Sequence, residues 1–159
     1  MRRLIVWGLV VSGLTAACSS VDCPLNHTVS TNYVLQGRVD TLSDTLTITT
    51  LRADNTDTVL INRNVATTGF DLPVSYVRNE DVLVLTLVGK NNAVTRDTVW
   101  VNKTSRPHFE SVDCGMSYFH TLKGVRSTRH ALDSVVLKNT EVTYDATKEH
   151  FHIYFKSGH

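Results

Sequence analysis

Two histidines near the carboxyl end of the chain have a spacing that metal sites use. His150 and His152 lie two residues apart in HFHIYF (150–155), whose alternation predicts a strand. Side chains two apart on a strand share a face, so the two imidazoles would point the same way as Tyr154. A third ligand would have to come from His108, His120 or His130. The Phe/Ile/Phe face opposite explains the pattern as an ordinary strand, which we favour over metal, and we expect no cofactor.

Acidic and hydroxyl side chains form no recognisable catalytic pattern. Four acids, Asp54, Asp57, Glu80 and Asp81, are expected in turns, and no D-x-D-x-D-G calcium loop occurs. The sequence also has no G-x-S-x-G elbow, no H-E-x-x-H pair and no glycine run that would cradle a phosphate. We therefore predict that the chain is not an enzyme.

Length and composition favour one globular domain built from short strands. The chain has 159 residues, 42% of them hydrophobic, so it can bury an ordinary core. Thr and Val are abundant, with Asn and Asp between them, as in strands joined by turns. Lys and Arg number 16 against 15 Asp and Glu, without a basic stripe. Nucleic acid is therefore not an expected partner.

The first seventeen residues read as an export signal. Arg2 and Arg3 precede a largely apolar run over residues 4–14, and small residues follow. The run matches the apolar part of a signal peptide and is too short to span a bilayer, which takes about 20 residues.

The segment Leu14-Thr15-Ala16-Ala17-Cys18 resembles the lipobox of bacterial lipoproteins. The resemblance implies that residues 1–17 are removed and that Cys18 becomes the first residue, carrying diacylglycerol on sulfur and a fatty acid such as palmitate on its amine. Several acyl chains anchor a protein stably where one does not. Residues 18–22 would be a lipidated tether and 23–159 the folded domain.

The sequence Ser-Val-Asp-Cys occurs twice, ending at Cys23 and at Cys114. Export would place both cysteines in an oxidising compartment, where two such residues usually pair. We expect a disulfide; the alternatives are two buried thiols or a two-Cys metal site, for which the short paired spacing is missing.

The rest of the chain is patterned as strands without a helical stripe. Alternating or apolar runs predict strands over 33–39, 44–51, 57–62, 70–76, 81–88, 97–102, 113–122, 133–139 and 150–155. Residues 52–57 and 89–94 are predicted hairpin turns, and Pro73 indicates an edge strand or a bulge. We predict an all-β, immunoglobulin-like two-sheet β-sandwich, with a small β-barrel as the alternative. Trp100 and Tyr118 are expected in the core, although inward-facing Val99 and Val101 would turn Trp100 outward.

Five triplets pair Asp with Thr or Ser and an apolar residue. The simpler interpretation is that each triplet begins a strand, because Asp ends turns and Thr and Val suit strands. The triplets also resemble the O-glycosylation signal of exported Bacteroidetes proteins. That resemblance makes the hydroxyl residues candidate acceptors: Thr41, Thr45, Thr58, Thr98 and Ser134.

The segments SVDCPLN, DTVLINRN, FDLPVSY, RPHFESVDCG and FHTLKGV are similar to a family of small Bacteroidales envelope lipoproteins of unknown function. The resemblance implies one small domain after the lipid-bearing Cys. It transfers no catalytic residue, and it supports pairing of the two later cysteines.

Together these patterns favour a non-catalytic binding or structural module at a membrane surface, held by its lipid and contacting an envelope protein or a glycan. The first alternative is a small metal- or ligand-binding periplasmic lipoprotein using His150 and His152. The second is an enzyme without a recognisable motif. We expect the outer membrane, and its periplasmic face rather than the cell surface, because Asp22 is the only acidic residue close after Cys18.

Overall fold

The computed structural model describes Cys23, residues 28–52, Asp54 and residues 56–159. The export signal and the whole tether, Cys18 included, lie outside these described residues. The described part contains ten strands: β1 (Ser30–Gln36), β2 (Thr45–Leu51), β3 (Asp57–Asn64), β4 (Gly69–Pro73), β5 (Glu80–Val88), β6 (Val94–His108), β7 (Ser117–Ser127), β8 (Leu132–Leu137), β9 (Glu141–Val142) and β10 (Phe151–Phe155). Within it, no helix is long and apolar enough to cross a membrane.

The strands form two sheets that pack against each other. One sheet has the order β4-β1-β10-β8 and the other β3-β2-β5-β6-β7-β9. One of the two curls into a half-barrel. The first and last strands, β1 and β10, pair in parallel, with Tyr33 opposite Phe151. The predicted all-β, two-sheet sandwich is confirmed.

The core follows from period-two alternation along the central strands. Leu46 and Ile48 of β2 have no solvent exposure, and Phe151 and Ile153 of β10 are equally buried. Each such side chain contributes about 1.5–3 kcal/mol by leaving water. The Tyr33 ring stacks on Phe151 at 4.7 Å between centroids, which joins the parallel pair through the sheet's inner face.

The predicted turns and the edge strand are also confirmed. The Gly89 amide donates to the Ala93 carbonyl across the β5–β6 hairpin, and the Arg52 amide donates to the Thr56 carbonyl across the β2–β3 hairpin. Pro73 is the last residue of β4, which is an edge strand, so its missing N–H removes no bond from the sheet interior.

Several predicted boundaries are wrong. Strand β6 runs for 15 residues, far beyond 97–102, because it pairs with both β5 and β7. Strand β7 begins at Ser117 rather than at residue 113, and β9 was not predicted. Glu80 and Asp81 were expected in a turn but open β5, where Glu80 pairs with Asn102.

The expectation that Trp100 and Tyr118 lie in the core is wrong. Val99 and Val101 are 1% and 2% exposed, so strand alternation turns Trp100 to the outer face. There the Arg126 guanidinium lies 4.1 Å from the centre of the indole ring and covers it. Tyr118 is half-buried and stacks on Tyr76 outside the core.

Candidate functional site at the disulfide-bonded end

A disulfide joins Cys23 to Cys114 across 91 residues of sequence, with 5.4 Å between the Cα atoms. Cys114 lies in the turn between β6 and β7, residues 109–116, which we call the β6–β7 turn. Inside this turn the Cys114 amide donates to the Ser111 carbonyl at 3.3 Å, and the Asp113 amide donates to the Ser111 hydroxyl at 3.2 Å. The turn therefore holds the sulfur in place and fixes where the N-terminal segment attaches.

A second loop lies at the same end of the sandwich. Residues 74–79 connect β4 to β5, and the Val74 amide donates to the carbonyl of Val29, just before β1. The Tyr76 and Tyr118 rings stack at 4.5 Å and 8° between planes. This β4–β5 loop and the β6–β7 turn are thus neighbours, and together with the start of β1 they form what we call the disulfide end.

A buried ion pair lies beneath this end. The ammonium of Lys103 is 2.9 Å from Oδ1 of Asp81 and donates to the Arg78 carbonyl at 2.8 Å. Lys103 continues the inward row of β6 that includes Val99 and Val101, so its side chain enters the core. Burial raises the pKa of Asp81, and the hydrogen bond from Lys103 opposes that rise.

A cleft of about 280 Å³ opens beside the ion pair. Its walls include Thr28, Arg52 and Tyr76, and Asp81 reaches its floor. The Asp81 carboxylate is already engaged, since it pairs with Lys103 and also accepts from the Ser75 backbone. The cleft can therefore contact a ligand through hydroxyls, the Arg52 guanidinium and apolar walls, and the ion pair serves to shape it.

His120 is the most perturbed imidazole of the described residues. Its ring is 1% exposed, and Nδ1 lies 3.0 Å from the Ser105 hydroxyl on the neighbouring strand. Burial, assisted by the Lys103 charge, lowers the pKa of His120 to about 4. A hydroxyl beside an imidazole supplies two of the three groups of a hydrolytic triad, but a ring this buried leaves no room for a substrate carbonyl.

The sequence predicted that His150 and His152 share one solvent-facing side of a strand, and this prediction is wrong. His150 precedes β10 and is 1% exposed. Its Nδ1 accepts from the Asn32 amide at 3.1 Å, and its Nε2 lies 3.2 Å from the Glu141 carbonyl. Burial lowers the pKa of His150. Both ring nitrogens are engaged with backbone, so His150 bridges β1 to the segment around β9.

His152 occupies the outer face of β10, as alternation predicts. Its Nε2 lies 2.8 Å from a carboxylate oxygen of Glu149. The histidines His108, His120 and His130 do not join it: in the described part of the chain, no three His, Cys, Asp or Glu side chains come close enough to hold a metal ion.

Asp97 holds two parts of the fold together, a role that the sequence did not indicate. Its carboxylate is 1% exposed and accepts from the Thr128 hydroxyl and from three backbone amides, those of His130, Ala131 and Leu132, at 2.6–2.8 Å. Burial by itself would raise the pKa of Asp97, but these hydrogen bonds outweigh it and lower that pKa. Asp97 thus fastens the β7–β8 connection to β6.

The five Asp-Thr or Asp-Ser triplets have different structural settings, so one explanation does not cover them. Asp97 bonds residues more than 30 positions away rather than its own turn. Asp44 is buried, and its Oδ2 lies 2.9 Å from Nδ1 of His159. Among the candidate acceptors, Thr41 is exposed outside any strand; the others are half-buried and within strands, at Thr45, Thr58, Thr98 and Ser134.

A family model described as a family of unknown function (DUF6452) matches residues 45–155. That span runs from the first residue of β2 to the last residue of β10. No curated protein and no solved structure matches the chain.

Proposed function

The chain belongs to DUF6452, a family of unknown function, and we propose that it is a lipid-anchored, non-catalytic binding or structural module of a bacterial cell envelope. The observation that carries the proposal is the disulfide between Cys23 and Cys114. It attaches the sandwich five residues after Cys18, the residue that the lipobox-like motif marks for acylation. Five steps of chain span at most about 18 Å, so the domain would be held against the membrane.

A non-catalytic role is supported by how the buried polar groups are used. Asp97 accepts four hydrogen bonds, three from the β7–β8 connection and one from the first residue of β8. The Lys103 ammonium pairs with Asp81 and donates to a backbone carbonyl. His150 engages backbone with both ring nitrogens. Groups with these partners stabilise the fold, and none of these three side chains is free to exchange a proton with a substrate at the surface.

The proposed partners are an envelope protein or a glycan, met at the periplasmic face of the outer membrane in a Bacteroidales-type envelope. The cleft above Asp81 offers hydroxyls, one guanidinium and an aromatic ring, which suits polar ligands of this kind. Protease treatment of intact cells tests the location: protection of the domain until the outer membrane is opened is expected, and digestion on intact cells would place it on the surface.

The anchor is tested by replacing Cys18 with Ser in the full-length chain. Wild-type protein should fractionate with membranes and yield an N-terminal peptide heavier by its acyl chains, whereas the Cys18→Ser variant should lose both properties. Cys23→Ser is the matched control, because it removes a cysteine but leaves the lipobox-like segment intact. Equal membrane partitioning of wild type and Cys18→Ser would refute the proposal.

We also propose Thr41 as the O-glycosylation site of the five candidates. It is exposed in the segment between β1 and β2, and Asp40 beside it is exposed as well, so a glycosyltransferase can reach both. In the Asp97 triplet, by contrast, the carboxylate is buried. Peptide mass spectrometry of protein from its native host should find a glycan on Thr41 that Thr41→Ala removes; a glycan on Thr98 would contradict the assignment.

A further inference from the structure

Exposed apolar side chains are concentrated at the disulfide end. Of ten large hydrophobic residues that are exposed in the described part of the chain, five lie in its two loops. Phe109, Val112 and Met116 belong to the β6–β7 turn, where Val112 is 88% exposed, and Tyr76 and Val77 belong to the β4–β5 loop. Exposed apolar side chains that cluster on a monomer mark a surface that meets an apolar partner.

The other exposed apolar residues are four separate valines and Leu51, which ends β2 and lines a cleft with Val77. Val59 lies in β3 and Val65 directly after it, Val94 opens β6 at the opposite hairpin, and Val136 lies in β8. Such single residues are normal on a protein surface. The exposed Phe, Met and Tyr side chains are therefore concentrated at the disulfide end.

The disulfide places this end next to the N-terminal segment. Val112 is two residues from Cys114, so its Cα lies within about 7 Å of the cystine, and Cys18 lies within about 18 Å of Cys23 along the chain. Acyl chains on Cys18 would leave the protein beside the β6–β7 turn. A membrane that receives those chains is thus the apolar phase closest to the turn.

The chemistry of the turn fits a bilayer surface. Phe109, Val112 and Met116 supply the apolar tip. Tyr118, whose ring stacks on Tyr76, follows two residues after Met116. Tyrosine is amphipathic and is favoured where one end of the ring is apolar and the other is wet. The charges within the turn are the acids Glu110 and Asp113, so attraction to anionic headgroups does not explain it.

We propose that the β6–β7 turn inserts its apolar tip into the interface of the bilayer that holds the Cys18 lipid, so that the sandwich is docked in one orientation. This inference rests on the proposed lipid anchor. It adds that the anchor is not a free tether: the disulfide end faces the membrane, and the opposite end, with the Gly89–Ala93 turn, faces away.

The test uses full-length lipidated protein reconstituted in phosphatidylcholine vesicles that contain brominated acyl chains. Trp100, the only tryptophan after the export signal, is replaced by Phe, and Val112→Trp is added as the probe. Val94→Trp at the opposite end is the matched control, since Val94 is also more than half exposed. Met116→Trp provides a second, independent probe of the turn.

The turn probes should lose about half of their fluorescence to the bromines and shift to the blue, at low and at high salt, because insertion is apolar. The Val94→Trp emission should stay unchanged. Unquenched turn probes on protein whose N-terminal peptide carries its acyl chains would overturn the docking and leave the anchor standing. Equal quenching at Val94 would also overturn it. A peptide mass without acyl chains would overturn both the anchor and the docking.

Discussion

Lys103 and Asp81 meet inside the sandwich, with 2.9 Å between the ammonium and Oδ1 and no solvent exposure of the lysine side chain. Lys103 also donates to the Arg78 carbonyl through its side chain and to the Asn79 carbonyl through its amide. A single residue of β6 thereby fixes the loop that carries Tyr76 at the disulfide end.

Breaking this pair should destabilise the protein strongly. Lys103→Met removes the cation and leaves the Asp81 carboxylate desolvated, at a cost of about 3–5 kcal/mol in the free energy of unfolding. Urea denaturation followed by circular dichroism measures it. Lys148→Met is the matched control: Lys148 pairs with Asp145 on the surface, where a pair contributes up to about 1 kcal/mol. Similar losses in the two variants would show that the buried pair has no special role.

Asp97 should be just as sensitive, because one carboxylate serves four donors. Asp97→Ala would leave the buried amides of Ala131 and Leu132 unpaired, each costing about 1–3 kcal/mol. Asp133→Ala, in a similar triplet but with an exposed carboxylate, should stay within about 0.5 kcal/mol of wild type. A stable Asp97→Ala protein with an ordered β7–β8 connection would contradict the anchoring role.

The buried imidazole of His120 should make stability depend on pH. Its pKa is about 4 in the folded protein against 6.5 for an unperturbed His, so the unfolded chain binds the proton first. The stabilisation is complete above pH 6.5 and is lost as the pH falls from 6.5 through about 4, by roughly 3 kcal/mol in total. Denaturation midpoints across this range measure the loss. His120→Gln should flatten the dependence of stability on pH. The control His130→Gln, with an exposed ring, should retain that dependence. Parallel profiles for wild type and His120→Gln would show that His120 is not its source.

Removing the disulfide should lower stability without unfolding the sandwich. Closing a loop across 91 residues stabilises the folded state by about 4–5 kcal/mol through the entropy of the unfolded chain. The Cys23→Ser/Cys114→Ser double variant should therefore lose about that much, as should wild type in reductant. Reductant should leave the double variant unchanged, and a further loss there would point to a cause other than this bond.

Local patterns along the sequence were enough to predict much of the fold. Alternation placed Leu46, Ile48, Phe151 and Ile153 on buried faces, and Pro73 marked an edge strand. The two hairpin turns were found because Asn, Asp and Gly act over a few residues. The two cysteines were expected to pair because only two remained after the lipid residue, and pairing needs no knowledge of the path between them.

What the tertiary structure decided is the role of each polar residue in those strands. Period-two alternation states only that Asp97 and Lys103 face the same way as Val99 and Val101; burial made these two charges the anchors of loops at opposite ends of β6. His150 fits an outward row in the sequence, yet its partner amide is 118 residues away. The alternation along a strand is a local property, and it indicates which face of the sheet a side chain occupies. The hydrogen-bond partners of that side chain depend on which strands pack together, and this is decided by the whole chain.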